Sequence, residues 1–584
     1  MILGSFIDNI FKTDDTTQSI YTNDGLSVMF CGNVYNKHEI GFDNNESNAY
    51  IAYLLYQKGL KTLSKIDGSF TIVIKDGVTT IIVRDHHGTH SQIYYNKNSY
   101  ATSLSDLCNT VGFKNDIDYS SLCSFLNIGY IATDRTAFRD VMKLAAGTAL
   151  IATKGQFKSI KLFEANFTPA QSDKSLDELS EEYGALHRAA ISRRIGNSQN
   201  VGILLSGGYD SGCNLAALRG IYNGEVNSYS IGFKGDNWSE LPLARCMSDT
   251  FGTTHHEYEI SGDEIDALPE IVKHLGDPFV EGGLMVNYCA MRMIGVHKPS
   301  IILGGDGSDQ YFGTSGREIA IHCQASKYGM MPLIKGINSI LNNNIFEKDN
   351  KAYRIRFQLD KIINILHGDM FGIPEFMLRN IVINDKYSLS HSSEKIDTSS
   401  FEALYTQHAI ISDLEKIINQ VILFKASRMA EMFGNNMAFP FMDNMLYDFL
   451  QQLPVSFKCR GENVRRISQG DSEAKFLLKY HYKPQLPTEI TTKKKQGGFA
   501  PMPIFFSDEK RRRRMAEYIL SSAVMGTFLC RNNVERFLHQ YENDIKKGGN
   551  WFWYSQNKAI QYFNLLTLAV WWETYVNCNN SVKL

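Results

Sequence analysis

Apolar residues along this chain follow two rhythms. Through the first 165 residues they come in short β-branched or aromatic runs, at 25–32, 68–76, 79–85 and 92–97. Runs of that length, bounded by turn residues, read as strands. Asp76-Gly77 between two of them predicts a hairpin. Residues 44–60 form a candidate helix. From residue 175 the period lengthens. Leu176, Leu179, Tyr183, Leu186 and Ala190 share one helical face, and Ser175 with Glu178 spells a capping box, so a helix is predicted over 175–195. Beyond it, apolar strands alternate with helices: a strand at 201–205 and a helix from near Ser211, a strand at 227–233 and a helix at 240–251, then strands at 253–260 and from Ile301. Such alternation predicts a mostly parallel sheet with a ligand at its C-terminal edge. The fold class is therefore mixed. An α+β unit over 1–165, an antiparallel sheet sandwich with helices, precedes an α/β unit over 175–584, whose polar, mostly helical insert covers about 314–425.

Composition narrows the function. A chain of 584 residues holds two or more domains. Sixty basic against 62 acidic residues exert no global pull toward nucleic acid or membrane. Ten cysteines without a C-x-x-C pair suggest neither a zinc site nor a disulfide framework, and point to a reducing cytosol. The N-terminus has no basic, signal-like segment. No run approaches the ~20 apolar residues of a membrane span. The apolar, aromatic stretch 562–575 is short and reads as a core helix.

The densest chemistry lies at 201–212, V-G-I-L-L-S-G-G-Y-D-S-G. A buried strand runs into the tight turn Ser206-Gly207-Gly208 and then a helix, which aims several N–H groups at one spot and suits a pyrophosphate. Asp210 adds an oxygen ligand for the Mg²⁺ that accompanies ATP. The Lys-Ser/Thr of a Walker A loop is missing. The segment resembles instead the PP-loop, S-G-G-x-D-S, of ATP pyrophosphatases, which cleave ATP between the α and β phosphates. That resemblance implies an ATP site made of Leu204, Ser206, Gly207, Gly208, Asp210 and Ser211.

A wider resemblance runs in order along the chain. G-N-V-Y-N (32–36), D-G-S-F (67–70), V-R-D-H-H-G (83–88) and I-Y-Y (93–95), followed by the PP-loop, are similar to class-B asparagine synthetase. That family carries an N-terminal glutamine-hydrolysing domain of the Ntn type, whose nucleophile is a Cys directly after Met1. Here the position is Ile2, which has no nucleophilic atom. Cys31 replaces the family's glutamine-binding Asn and reads as a small buried hydrophobe. The stretch before Gly25 is too short for the family's Arg-containing glutamine loop. The resemblance thus implies a retained scaffold and a lost glutaminase.

The resemblance continues through S-I-G-F (230–233), where Ile231 would contact adenine through its backbone. It includes His255-His256-Glu257. Adjacent strand residues point to opposite faces, so these histidines are read as structural and not as metal ligands. In I-I-L-G-G-D-G-S-D-Q-Y-F-G (301–313), the resemblance implies that Gly304 and Gly305 would complete the ATP site and that Asp309 would be a second Mg²⁺ ligand beside Asp210. Asp306 falls where asparagine synthetases have Glu and β-lactam synthetases have Tyr, a position facing the attacking amine; an acid there can serve as base. Lys495, with Lys494 as its rival, precedes Q-G-G-F (496–499) and would reach the α-phosphate. Asn436 and Ala438 replace the family's Glu and Arg, which suggests an acceptor other than free aspartate. Arg511–Arg514 is read as a surface face.

The implied chemistry is adenylation of a carboxylate followed by amide formation, with AMP and pyrophosphate released. Without a glutaminase, the amine belongs to the substrate, as in β-lactam synthetase, carbapenam synthetase and the lasso-peptide cyclases. The expectation is an intramolecular, lasso-type macrolactam synthetase acting on a small-molecule or peptide carboxylate, with a leader-binding protein and a protease as partners. Its rivals are an asparagine synthetase-like enzyme using ammonia that is free or comes from another subunit, an RNA-modifying enzyme, and a non-enzymatic scaffold.

Overall fold

The computed structural model describes all residues except 1, 8–10, 14–16, 133, 171–172, 236–238, 344–349, 369–370, 390–393, 493–499 and 580. Two antiparallel sheets form the front of the chain. One runs, in spatial order, through Phe11–Thr13, Ile2–Ser5, Ser99–Ala101, Tyr94–Tyr95 and Met142–Lys143. The other runs through Gln156–Lys161, Thr148–Thr153, Thr79–Arg84, Gly68–Asp76, Leu26–Val34 and Ser19–Asn23. Period-two alternation divides the long Leu26–Val34 strand between two cores. Met29 and Cys31 face the other sheet, whereas Val28 and Phe30 pack with the helix Asn48–Gln57. The Asp76-Gly77 hairpin forms in the expected register, with Asp76 opposite Thr79 and Gly77 at φ 58°. Two expectations were too generous. The 44–60 helix is only Asn48–Gln57, and the strand at 92–97 shrinks to Tyr94–Tyr95, with Ile93 and Asn96 each adding one backbone bond, to the Leu144 and Ser99 backbone.

Behind these sheets, Leu176–Ile195 is a helix whose capping box is complete in both directions. It leads into a five-stranded, all-parallel sheet ordered Thr254–Ile260, Glu225–Phe233, Asn200–Leu204, Ile301–Leu303, Met437–Ala438. Successive strands are laid down first on one side of Asn200–Leu204 and then on the other. The chain reverses direction there, and such a switch point opens a crevice beyond the strand's C-terminal end. The region 314–425 is largely helical: Arg317–Lys327, Met331–Leu341, Asn350–Ile363, Glu375–Ile381, Phe401–His408 and a π-register stretch Ala409–Ile422. The stretch 562–575 lies in a buried helix, Phe552–Trp571, and its continuation. Among the described residues no helix is long and apolar enough to cross a membrane.

A buried charge network joins the front sheets to the parallel one. Arg194 Nη1 lies 2.7 Å from Asp443 and 3.3 Å from Asp67, its Nε donates to the Phe439 carbonyl at 3.0 Å, and its guanidinium covers the Tyr35 ring at 4.8 Å. Burial disfavours the charged form of Asp443, but Arg194 and Arg193 outweigh it and hold the carboxyl down at about 2. Removing one partner strands a buried charge. Arg194→Ala is expected to destabilise the protein by about 3–5 kcal/mol, read as a lower urea midpoint.

Candidate functional site

The first glycine loop sits at the switch point. Gly208 caps a helix, Tyr209–Arg219, that starts two residues earlier than the expected Ser211 and so places Asp210 in its first turn. Gly207 adopts φ 72°, and a Cβ there would lie 2.7 Å from the Leu243 side chain and 3.0 Å from the Ala244 nitrogen. The neighbouring helix Leu241–Phe251 presses against this glycine, and its positive φ disfavours any other residue. Gly208 is the open one: a Cβ there would meet only Ser206 Oγ, at 3.5 Å. Ser211 Oγ ties the turn by accepting from the Ser206 nitrogen at 3.1 Å and lying 3.2 Å from Ser206 Oγ. Leu204 ends the central strand, paired with Tyr229. The next strand runs on to Phe233, so Ile231 has no strand beside it on the loop side, which leaves a backbone edge open there.

The second glycine loop abuts the first. A Cβ at Gly305 would lie 3.4 Å from the Ser211 nitrogen and 3.6 Å from Asp210, and Gly307 turns the chain at φ 99°. Gly304 is pressed against Met437 and Phe439. Asn214 locks the loops together. Its Nδ2 donates to the Gly304 carbonyl at 3.0 Å, and its Oδ1 accepts from His187 Nε2 at 2.8 Å. That leaves His187 Nδ1 to accept from the Tyr482 hydroxyl at 2.6 Å. Burial pushes this histidine down to about 3, so it stays neutral and its tautomer is fixed by the two bonds.

Asp210 and Asp309 converge on a residue that sequence reading missed. Lys475 Nζ lies 2.5 Å from Asp210 Oδ1 and 2.9 Å from Asp309 Oδ1, and Ser308 Oγ donates to Asp210 at 2.7 Å. Lys475 has an unusual left-handed backbone, φ 56°, at the start of the helix Phe476–Tyr482. Burial works against its charge, but the two carboxylates outweigh burial and raise its pKa above the ordinary lysine value. No motif flags it; a lone cation just before the apolar run F-L-L is the only signal in the sequence. Asp306 lies on the same loop. Burial pushes its carboxyl up to about 6, with Lys425 opposing and Glu281, Asp210 and Asp309 adding to the rise. Glu281 and Lys425 were also missed. The residues Lys494 and Lys495, assigned to the α-phosphate, lie outside the described residues.

Ile2 is 1% exposed and packs with Met29, Cys31, Val73, Ile82 and Tyr100. An apolar core fills the place where the resemblance puts a thiol nucleophile, and the Tyr100 ring occupies the position of a Cβ at Gly4. His255 Nδ1 bonds Ser228 at 2.8 Å and His256 Nε2 bonds Asn227 at 2.9 Å. The arginines 511–514 are not a purely exposed face. Arg512 is 4% exposed and paired with Glu542, because its guanidinium also caps the Phe506 and Ser507 carbonyls.

Residues 182–573 match the protein-family model described as asparagine synthase, and residues 7–163 match the one described as glutamine amidotransferase domain. Asparagine synthetase (glutamine-hydrolyzing) 1 of Bacillus subtilis strain 168 is 21% identical over 560 residues, 91% of this chain and 84% of that protein. A putative asparagine synthetase (glutamine-hydrolyzing) of Mycobacterium tuberculosis H37Rv is 23% identical over 508 residues, 82% of this chain and 75% of that protein. A solved NH3-dependent NAD synthetase from Campylobacter jejuni aligns with 23% of this chain and 59% of its own at TM-score 0.18 and 18% identity.

Proposed function

We propose, on the premise that this chain belongs to the asparagine synthase family, that it closes an amide within one substrate, as a lasso-type macrolactam synthetase does. It is an ATP-dependent carbon–nitrogen ligase with an amidotransferase-like front domain. The observation that carries the finer reading is the burial of Ile2. A packed isoleucine at the position where the resemblance puts the nucleophile supports a reaction that draws no ammonia from glutamine, and a nucleophile carried by the substrate fits it. The exchange of the family's Glu and Arg for Asn436 and Ala438 supports an acceptor other than free aspartate.

The residues at the switch point suit such a reaction. The open side of Gly208 and the first turn of Tyr209–Arg219 receive the phosphates. Asp210 and Asp309 present converging carboxylate oxygens, the donor type Mg²⁺ takes, and would hold that ion. When bound, it supplies positive charge to the leaving pyrophosphate. Lys475, fixed by both acids, adds a buried cation at the same place. The substrate carboxylate attacks the α-phosphorus, and the bond to the β-phosphate oxygen breaks. Asp306 then takes a proton from the amine as its nitrogen bonds the acyl carbon and AMP leaves. Neither half reaction uses a redox group, and no disulfide joins the ten cysteines among the described residues.

Incubation of the protein with Mg·ATP and a candidate peptide is expected to give AMP and a product lighter by one water. Glutamine is expected to yield no glutamate, and Ile2→Cys to restore none, because Tyr100 and its neighbours fill the pocket. Release of glutamate by the unaltered protein refutes the intramolecular reading. The names of the relatives favour one rival, an asparagine synthetase-like enzyme using outside ammonia. Isotopically labelled ammonium enters the product in that case and stays out of a ring closure.

A further inference from the structure

Beside Asp306 lies an ion pair that the reaction above does not use. Lys425 Nζ is 2.6 Å from Glu281 Oε2, and the two residues are 6% and 9% exposed. They come from different parts of the chain. Glu281 sits in the turn before the helix Leu284–His297, and its Oε2 also accepts from the Gly283 nitrogen at 2.7 Å. Lys425 stands on the helix Leu423–Met432, directly after the π-register stretch Ala409–Ile422 at the end of the helical insert. Both are among the charges that act on Asp306.

Stability does not explain the pair. Removing two charges from water costs more than their attraction commonly returns, and an apolar pair of the same volume holds a core as well. The surroundings are instead shaped to keep it. A Cβ at Gly283 would lie 2.7 Å from Lys425 Nζ and 3.1 Å from Glu281 Oε2, so a side chain there would push the lysine tip aside, while a Cβ at Gly282 would meet nothing within 4 Å. The pair also keeps unused capacity. Both bonds to Glu281 go to Oε2, and Oε1 accepts none among the described residues. Lys425 has three N–H donors and spends one on Glu281.

We propose that Glu281 and Lys425 form the amine subsite of this ligase, and that it takes an α-amino carbonyl group, such as a peptide N-terminus, and not ammonia. Glu281 Oε1 receives the ammonium and brings it beside Asp306; Glu281 takes the first proton, which frees the nitrogen lone pair, and Asp306 takes the second as the amide forms. Lys425 receives the neighbouring carbonyl oxygen. Ammonia has no such oxygen and leaves the Lys425 donors unmatched, a loss that buried polar groups make expensive. The assignment rests on the ligase reading and narrows it to a carbon-bound primary amine. The insert then has a role in substrate choice, because its last helix carries Lys425 into the site.

Glycinamide is the smallest probe with both groups. With Mg²⁺ and the non-cleavable analogue AMPCPP present, glycinamide is expected to raise the melting temperature, by an increment that grows with the logarithm of its concentration above Kd. Ammonium chloride and N-acetylglycinamide at the same concentration are expected to leave it unchanged. The near-isosteric Glu281→Gln/Lys425→Met double variant removes both charges without stranding either. It is expected to bind AMPCPP as before and glycinamide about tenfold to a hundredfold more weakly. An equal shift with ammonium chloride, no shift with glycinamide, or undiminished glycinamide binding by the folded double variant overturns the subsite. If that variant does not fold, the comparison of the three probes on the unaltered protein decides alone. Pyrophosphate exchange in a separate assay reports the ligase reading, so a failure of one is not mistaken for a failure of the other.

Discussion

Lys475→Met is expected to lower carboxylate-dependent ATP–pyrophosphate exchange by about a hundred- to a thousandfold, the range for deleting one preorganised charge at a reacting centre. The lysine holds Asp210 and Asp309 at 2.5 and 2.9 Å and is itself 5% exposed. Without it, two acids share a partly buried space with no resident cation, and like charges there repel. The methionine keeps the volume of the side chain, so the fold is expected to persist and the loss to fall on turnover. Two results separate the roles of this residue. A variant that binds ATP normally but does not exchange has lost transition-state charge. A variant that also fails to bind ATP shows that Lys475 first has to hold the two acids in place. Exchange within threefold of the unaltered protein removes Lys475 from the reaction.

Asp306→Asn is expected to act on the other half of the chemistry. Asparagine cannot accept the amine proton, and loss of a general base costs about 10²–10⁴-fold. Amide formation is expected to fall by that amount, while pyrophosphate exchange, which precedes the amine, is retained. The pH dependence follows from the raised carboxyl. With its pKa pushed up to about 6, Asp306 carries a proton below that pH and cannot take another. Amide formation by the unaltered protein is therefore expected to rise about tenfold per pH unit up to about 6 and then level off, and the variant is expected to lose this acidic limb. A limb that survives in the variant assigns it to another group. Exchange that falls in parallel with amide formation places Asp306 in nucleotide binding.

The short-range elements and the two glycine turns are legible in the amino-acid order alone. The capping box of Leu176–Ile195, the hairpin at Asp76-Gly77 and the alternation of strand and helix after residue 200 depend on neighbours a few positions apart, and local stereochemistry decides them. The same holds for Ser206–Ser211 and Gly304–Asp309, whose spacing shows chemistry within a dozen residues. Only the tertiary structure decided which charges meet. Lys475 reaches Asp210 across 265 positions, and Lys425 reaches Glu281 across 144. Neither lysine has a periodic or motif signature, because a lone cation beside an apolar run looks the same whether it faces water or an acid. Gly207 adds a tertiary reason to its local one: the helix Leu241–Phe251 presses against it, a neighbour that its spacing does not reveal. Periodicity records what each residue does to its own backbone, whereas burial and opposite charge are properties of the folded surroundings, and these arise only when distant segments close on one another.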